Sequence, residues 1–266
     1  MGSEMCIRDR YEMIKDLGTG SSGSVTLVRH ISMDQERALK KVPKASAFAE
    51  SALSEARLLK SLEHPSIPRI FDFEDDDAFY YIVEEYIDGE TLDSFLLHQQ
   101  LISPGLFFNI CEQLCNVFIY LHTQISTPII YRDLKPEHII VCHNKLKLID
   151  FGVSAYVIQD GNNFNHYGNI EFSAPECFTE DTITPAADIY SLGQLLQYIL
   201  TFTPDSFSHK FQHIIQKATT SDASLRYVTV AELYQEIQEI QKLTGQPHLI
   251  HLSLIHISEP TRPLYI

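Results

Sequence analysis

The chain has 266 residues, with 20 Lys and Arg against 35 Asp and Glu, a formal charge of −15 and a pI near 5.1. That balance supplies no basic field for a phosphate backbone, which argues against a nucleic-acid or anionic-membrane partner. No uncharged apolar run approaches the roughly 18–20 residues of a membrane span, and at 44% hydrophobic and 21% charged the composition is globular. Cys6, Cys111, Cys115, Cys142 and Cys177 show no paired spacing, which points to a reducing compartment. Cys111 and Cys115 stand one helical turn apart and are expected in the core, not on a metal.

The two ends are set aside first. Leu252–Arg262, LSLIHISEPTR, has a coding string whose reverse complement, read one base in, encodes VGSEMCIRD. With GTG as start codon and Arg or Ser from the incomplete codon that follows, that gives the opening MGSEMCIRDR. Residues 1–10 and 252–266 thus resemble the two strands of one library-preparation adapter, translated in place. The expected domain is 11–243, with 244–251 as the remnant of a native tail.

Tyr11–Leu17 and Ser24–His30 read as strands joined by a Gly-rich turn, and Glu36–Val42 as a third strand. Leu53, Ala56, Leu59 and Leu62 recur at helical spacing over Glu50–Leu62, and His64-Pro65 stops that helix. Arg69–Phe73 and Phe79–Glu84 are strands divided by the acidic run EDDD. Asp88-Gly89 then breaks the chain between a β-rich half, about 11–87, and a helical half, about 88–243. Helices are expected there at Leu92–His98, Pro104–Gln124, Pro185–Thr201, Phe207–Thr219 and Thr229–Leu243. Short strands are expected near Ile129, at Ile139–Cys142 and at Lys145–Ile149. The plan is α+β and two-lobed, with a small β-rich N-lobe and a larger helical C-lobe.

Gly18-Thr-Gly-Ser-Ser-Gly23-Ser-Val25 fits G-x-G-x-x-G-x-V, so Gly18, Gly20 and Gly23 would let the backbone close over phosphates. A dinucleotide site uses the same glycines between a strand and a helix, and a plain hairpin needs no ligand. The two flanking strands favour the phosphate loop. Next come Ala38-Leu39-Lys40 and, mid-helix, Glu55. A strand ammonium can hold phosphates while a helix carboxylate fixes it. Glu50 is a rival partner, and a solvated surface pair would be worth well under about 1 kcal/mol.

The most informative segment is Tyr131-Arg-Asp-Leu-Lys-Pro-Glu-His138, followed by Asp150-Phe-Gly152 and Ala174-Pro-Glu176. In order and spacing these motifs resemble the eukaryotic-like Ser/Thr protein kinase family over nearly all of 11–243, with kinases of low-GC Gram-positive bacteria as a finer likeness. The resemblance implies a two-lobed kinase fold that binds ATP and Mg²⁺, with Mn²⁺ as an alternative, and phosphorylates a protein substrate in the cytoplasm. Tethering to a membrane through flanking sequence is left open. Gly18, Gly20 and Gly23 would cover ATP, Val25 and Ala38 would sandwich the adenine, and the hinge amides around Glu85 and Ile87 would read its edge. Lys40, paired with Glu55, would orient the phosphates. Asp133 would orient or take the proton of the substrate hydroxyl, Lys135 would steady the γ-phosphate, and Asp150 would hold the metal. Asp188 would anchor the catalytic-loop backbone, and Glu176 would pair with Arg226.

Several positions depart from the family pattern. Tyr131 replaces a His, Glu84 stands where a hydrophobic residue is usual and needs a partner for its charge, and Asn169 replaces a Thr. His138 replaces the Asn that ligates the second metal. Only Phe202–Phe207 separates two helices that normally flank a third. Between Asp150 and Glu176 there is no Thr, and Asp160 is a candidate permanent carboxylate for Arg132. Two function classes follow: an active protein Ser/Thr kinase, and a pseudokinase serving as a nucleotide-binding or scaffolding module. Retention of Lys40, Glu55, Asp133, Lys135 and Asp150 favours the first, and the Ala174–Glu176 motif argues against a small-molecule kinase.

Overall fold

The computed structural model describes residues 7, 9–20, 23–125, 127–152, 155–156, 170–179 and 183–245. Five strands, β1 (Tyr11–Gly20), β2 (Gly23–His30), β3 (Gln35–Pro43), β4 (Ile70–Asp75) and β5 (Phe79–Glu85), form an antiparallel sheet in the order β1-β2-β3-β5-β4. Side chains alternate across it. One face buries Tyr11, Val28, Leu39, Tyr81 and Val83 together with Ile7. The other presents Val42 and Ile82 to Ala52 and Ala56 of helix α1 (Ala49–Lys60). Register places Lys40 opposite Ile82 and Ala38 opposite Glu84, so Lys40 and Glu84 share the face that carries α1. Arg10 pairs with Asp72 and Glu74, so Ile7 and Arg10 both lie on this sheet.

The second half packs α2 (Leu92–Gln99), α3 (Pro104–Ile119), α4 (Ala186–Leu200), α5 (Asp205–Ser208), α6 (Gln212–Ala218) and α7 (Val230–Leu243) around one apolar core. Cys111 and Cys115 are buried free thiols in it, as expected from their spacing. α3 starts where Ser103 accepts a hydrogen bond from the Leu106 amide and Pro104 takes the first turn, a position that needs no N–H. Short strands β6 (Glu90–Thr91), β8 (Ile139–Cys142) and β9 (Lys145–Leu148) form one sheet, and β7 (Ile129–Ile130) pairs with β10 (Ala155–Tyr156).

Two expected helices come out differently. The helix expected at Pro104–Gln124 ends at Ile119 and continues as a wider π turn, Tyr120–Gln124, which carries His122 to the carboxylate of Asp188. The helix expected at Phe207–Thr219 is divided into α5, a 3-10 turn (His209–Phe211) and α6. The tight turn serves an aromatic cluster. Phe207 and Phe211 both stack on Phe107, at 5.4 and 4.8 Å between ring centroids, and that burial outweighs an unbroken helical ladder. α5 begins at Asp205, so the connection after α4 is even shorter than expected.

Candidate active site

The glycine segment lies at the tip of a hairpin. β1 and β2 pair from Tyr11 with His30 to Gly20 with Gly23, a strand–turn–strand arrangement that excludes the dinucleotide reading. Gly23 has φ +145°, and a Cβ there would lie 2.1 Å from the Lys41 carbonyl oxygen, so only glycine fits. Beneath this tip lies a cavity of about 460 Å³, within the usual range for small-molecule sites. Gly18, Gly23, Val25, Lys40, Glu55, Glu84, Glu85, Ile87 and Asp150 line it. Val25 lines the cavity, and Ala38 is buried on the sheet face that Lys40 and Glu84 share. Gly20 closes β1.

Lys40 reaches Glu55 at 2.6 Å, and Glu50, the rival partner, is solvent-exposed. The other oxygen of Glu55 accepts from the Phe151 amide at 3.0 Å, so one carboxylate ties strand, helix and the Asp150–Gly152 turn together. Burial pulls the Lys40 pKa down, but Glu55, Glu84 and Asp150 outweigh it and hold the ammonium charged. Burial also drives Glu84 up, from 4.5 to about 7, opposed by Lys40 and reinforced by Glu55 and Asp150. The partner that Glu84 needs is therefore the Lys40 charge, which it shares with two other carboxylates.

Asp188 is wholly buried and accepts from the amides of Tyr131 and Arg132, each at 2.9 Å, with His122 Nε2 at 2.8 Å. Those bonds hold Arg132 at φ +73°, and Asp150 stands at φ +61°. Such conformations cost a non-glycine residue about 1–3 kcal/mol and cluster at functional sites. Tyr131 keeps the aromatic packing expected of it. Its buried ring meets Phe118 and Phe151 edge-on, and its hydroxyl donates to the Ile149 carbonyl beside Asp150. Lys135 Nζ lies 3.0 Å from Asp133 Oδ2. His138 lies between the two carboxylates, with Nδ1 3.4 Å from Asp133 Oδ2 and 3.0 Å from the Asp133 backbone carbonyl, and Nε2 3.5 Å from Asp150 Oδ2. Asp133, Lys135 and His138 therefore gather beside Asp150, outside the cavity lining.

Residues 11–262 match the family model for the protein kinase domain. The chain belongs to the protein kinase family. It is 29% identical over 267 residues to serine/threonine-protein kinase PrkC of Bacillus subtilis, covering 87% of this chain and 40% of that protein. With serine/threonine-protein kinase PknB of Mycobacterium tuberculosis the identity is 26% over 280 residues, covering 91% and 44%. With calcium-dependent protein kinase 4 of Plasmodium falciparum it is 28% over 271 residues, covering 96% and 49%. The chain thus spans less than half the length of these relatives. Kinase domains use ATP and a divalent metal to phosphorylate proteins. Among the described residues, no helix is long and apolar enough to cross a membrane.

The hinge of this kinase domain corrects one expectation. The Glu85 N–H is already given to the Arg69 carbonyl at 2.9 Å, so that amide is not free to read the edge of a base. Its side chain accepts from Lys147 of β9 at 2.7 Å, a link between lobes that sequence reasoning missed. The alternation of Lys145-Leu146-Lys147-Leu148 carries the signal, since it turns Lys147 away from the core that buries the leucines. Arg226 and Glu176 form the expected pair, bidentate at 2.6 and 2.9 Å. Asp160 and Asn169 lie outside the described residues.

Proposed function

We propose that this domain transfers the γ-phosphoryl group of ATP to a Ser or Thr hydroxyl of a protein substrate. The observation that carries the reading is the continuous chain from Lys40 through Glu55 to the Phe151 amide, which holds the phosphate-binding ammonium and the Asp150 turn in one geometry. Phosphoryl transfer needs positioning and charge neutralisation more than covalent chemistry, and these residues supply both.

In this reading the hairpin tip closes over the phosphates, and Val25 with the Glu85 carbonyl and the Ile87 amide holds the base. Lys40 neutralises the inner phosphates. Asp133 orients the substrate hydroxyl and accepts its proton, and Lys135, 3.0 Å away, balances the charge that builds on the transferring group. Asp150 and His138 would hold a divalent metal, which would supply positive charge to neutralise the phosphates. The donor set fits one: with Nδ1 donating to the Asp133 carbonyl, a neutral His138 would present its Nε2 lone pair to a metal held by the Asp150 carboxylate. A nitrogen ligand suits Mn²⁺ better than Mg²⁺, which prefers an all-oxygen shell.

We place the domain at residues 11–243, where the start of the family match supports the boundary, and in the cytoplasm, where ATP and free thiols such as those described here persist. The pseudokinase alternative gains no support from the geometry, since Lys40, Glu55, Asp133, Lys135 and Asp150 are all in place. The test is transfer of radiolabel from ATP to a generic protein acceptor with Mg²⁺ or Mn²⁺. The parent is expected to label the acceptor and Asp133→Asn to fail. A parent that binds ATP yet labels nothing with either metal overturns the reading.

A further inference from the structure

Helix α1 touches the Asp150–Gly152 turn at a second point besides Glu55. Ser51 lies one helical turn earlier, on the same face. Its hydroxyl donates to the Gly152 carbonyl at 2.6 Å, while Glu55 accepts from the Phe151 amide at 3.0 Å. The helix therefore grips the turn by one N–H and one C=O on adjacent residues. Within the turn, the Gly152 N–H donates to Asp150 Oδ1 at 3.3 Å, so the orientation of that carboxylate depends on where the Gly152 backbone stands. Asp150 itself is in the left-handed region and needs its surroundings to stay there. Ser51 is half-buried, and its Oγ stands 3.5 Å from the point where a Cβ on Gly152 would lie.

We propose that Ser51 is a positioning residue for Asp150: its hydroxyl fixes the Gly152 backbone and, through the Gly152 N–H, the carboxylate that would hold the metal. The inference rests on the kinase reading of the site and adds to it a residue one helical turn from Glu55. The polarity of the contact matters. A donor is required, because an acceptor at residue 51 would face the Gly152 carbonyl and lie close to the Asp150 carboxylate.

The test compares the parent with Ser51→Ala, Ser51→Thr and Ser51→Asp in the full chain. The first readout is the affinity for a fluorescent ADP analogue with and without magnesium, and the second is kcat. In Ser51→Ala the gain in affinity brought by the metal is expected to fall about fivefold, the scale of one hydrogen bond, with a matching fall in kcat. Metal-free affinity stays at the parent's value, and the melting temperature falls by no more than the roughly 2–4 °C of one hydrogen bond. Ser51→Thr restores the gain, and Ser51→Asp loses more than Ser51→Ala. An unchanged metal-dependent gain in Ser51→Ala overturns the proposal, as does a Ser51→Thr variant no better than Ser51→Ala. A parent that binds magnesium–nucleotide but transfers no phosphate defeats the kinase reading and leaves the binding comparison to decide on Ser51. A parent whose affinity gains nothing from the metal overturns the proposal outright.

Discussion

Arg226 is completely buried, and each of its five N–H groups is engaged. Two go to Glu176, and the others reach the carbonyls of Thr220 at 2.7 Å, Ala186 at 2.9 Å and Ser221 at 3.0 Å. The guanidinium also lies over the Tyr190 ring at 4.9 Å. Arg226→Ala would leave the Glu176 carboxylate, itself only 7% exposed, without its counter-charge. Breaking one partner of such a pair costs about 3–5 kcal/mol. At about 2–4 °C per kcal/mol for a domain of this size, the melting temperature is expected to fall by roughly 6–20 °C. Arg226→Lys should fall between, because an ammonium keeps the charge and loses the planar fork. Replacing both partners, by Arg226→Met with Glu176→Leu, should cost less than Arg226→Ala alone, since no charge is then left unpaired. Scanning calorimetry of the parent, these three variants and the single changes Arg226→Met and Glu176→Leu decides the matter. A fall below about 2 °C for Arg226→Ala, or a double variant as unstable as the two single changes added together, would refute the reasoning.

Glu84 has a folded-state pKa near 7 against 4.5 for an ordinary glutamate, so the folded chain binds its proton more tightly than the unfolded chain. Its contribution to stability is therefore fully present at low pH and is lost as pH rises from about 4.5 through about 7, by at most about 3 kcal/mol. Glu84→Gln should remove that slope from urea titrations and stand above the parent at pH near 8; parallel profiles would sink the assignment. For His138, the parent is expected to transfer phosphate slowly with Mg²⁺ and several-fold faster with Mn²⁺, and His138→Asn to narrow that gap by improving the Mg²⁺ rate. Equal metal ratios in the two proteins would show that His138 is not a metal ligand.

Much of the site is legible along the chain because its parts are local. Gly18 to Gly23, Asp133 to His138 and Asp150 to Gly152 are short runs whose residue types and spacing survive any packing. The Lys40–Glu55 pair follows from one strand and the next helix, with helical spacing separating Glu55 from Glu50. The period of two sets which residues share a face within β3 and within β5, but the register between the strands is what brings Lys40 and Glu84 to one face.

What the chain order alone determined is this set of reactive groups and the α+β, two-lobed plan that carries them. Tertiary structure decided the contacts between segments far apart in sequence. Ser51 meets Gly152 and Lys147 meets Glu85 because α1, β5 and β9 converge at the lobe junction, a condition no local pattern encodes. It also decided which backbone groups remain available, since the Glu85 amide is taken by Arg69 across the sheet. The division of the expected Phe207–Thr219 helix has the same origin. A helical period describes which residues share a face, but the aromatic cluster on Phe107 exists only once α3 lies against that segment, and its burial then outweighs the local preference.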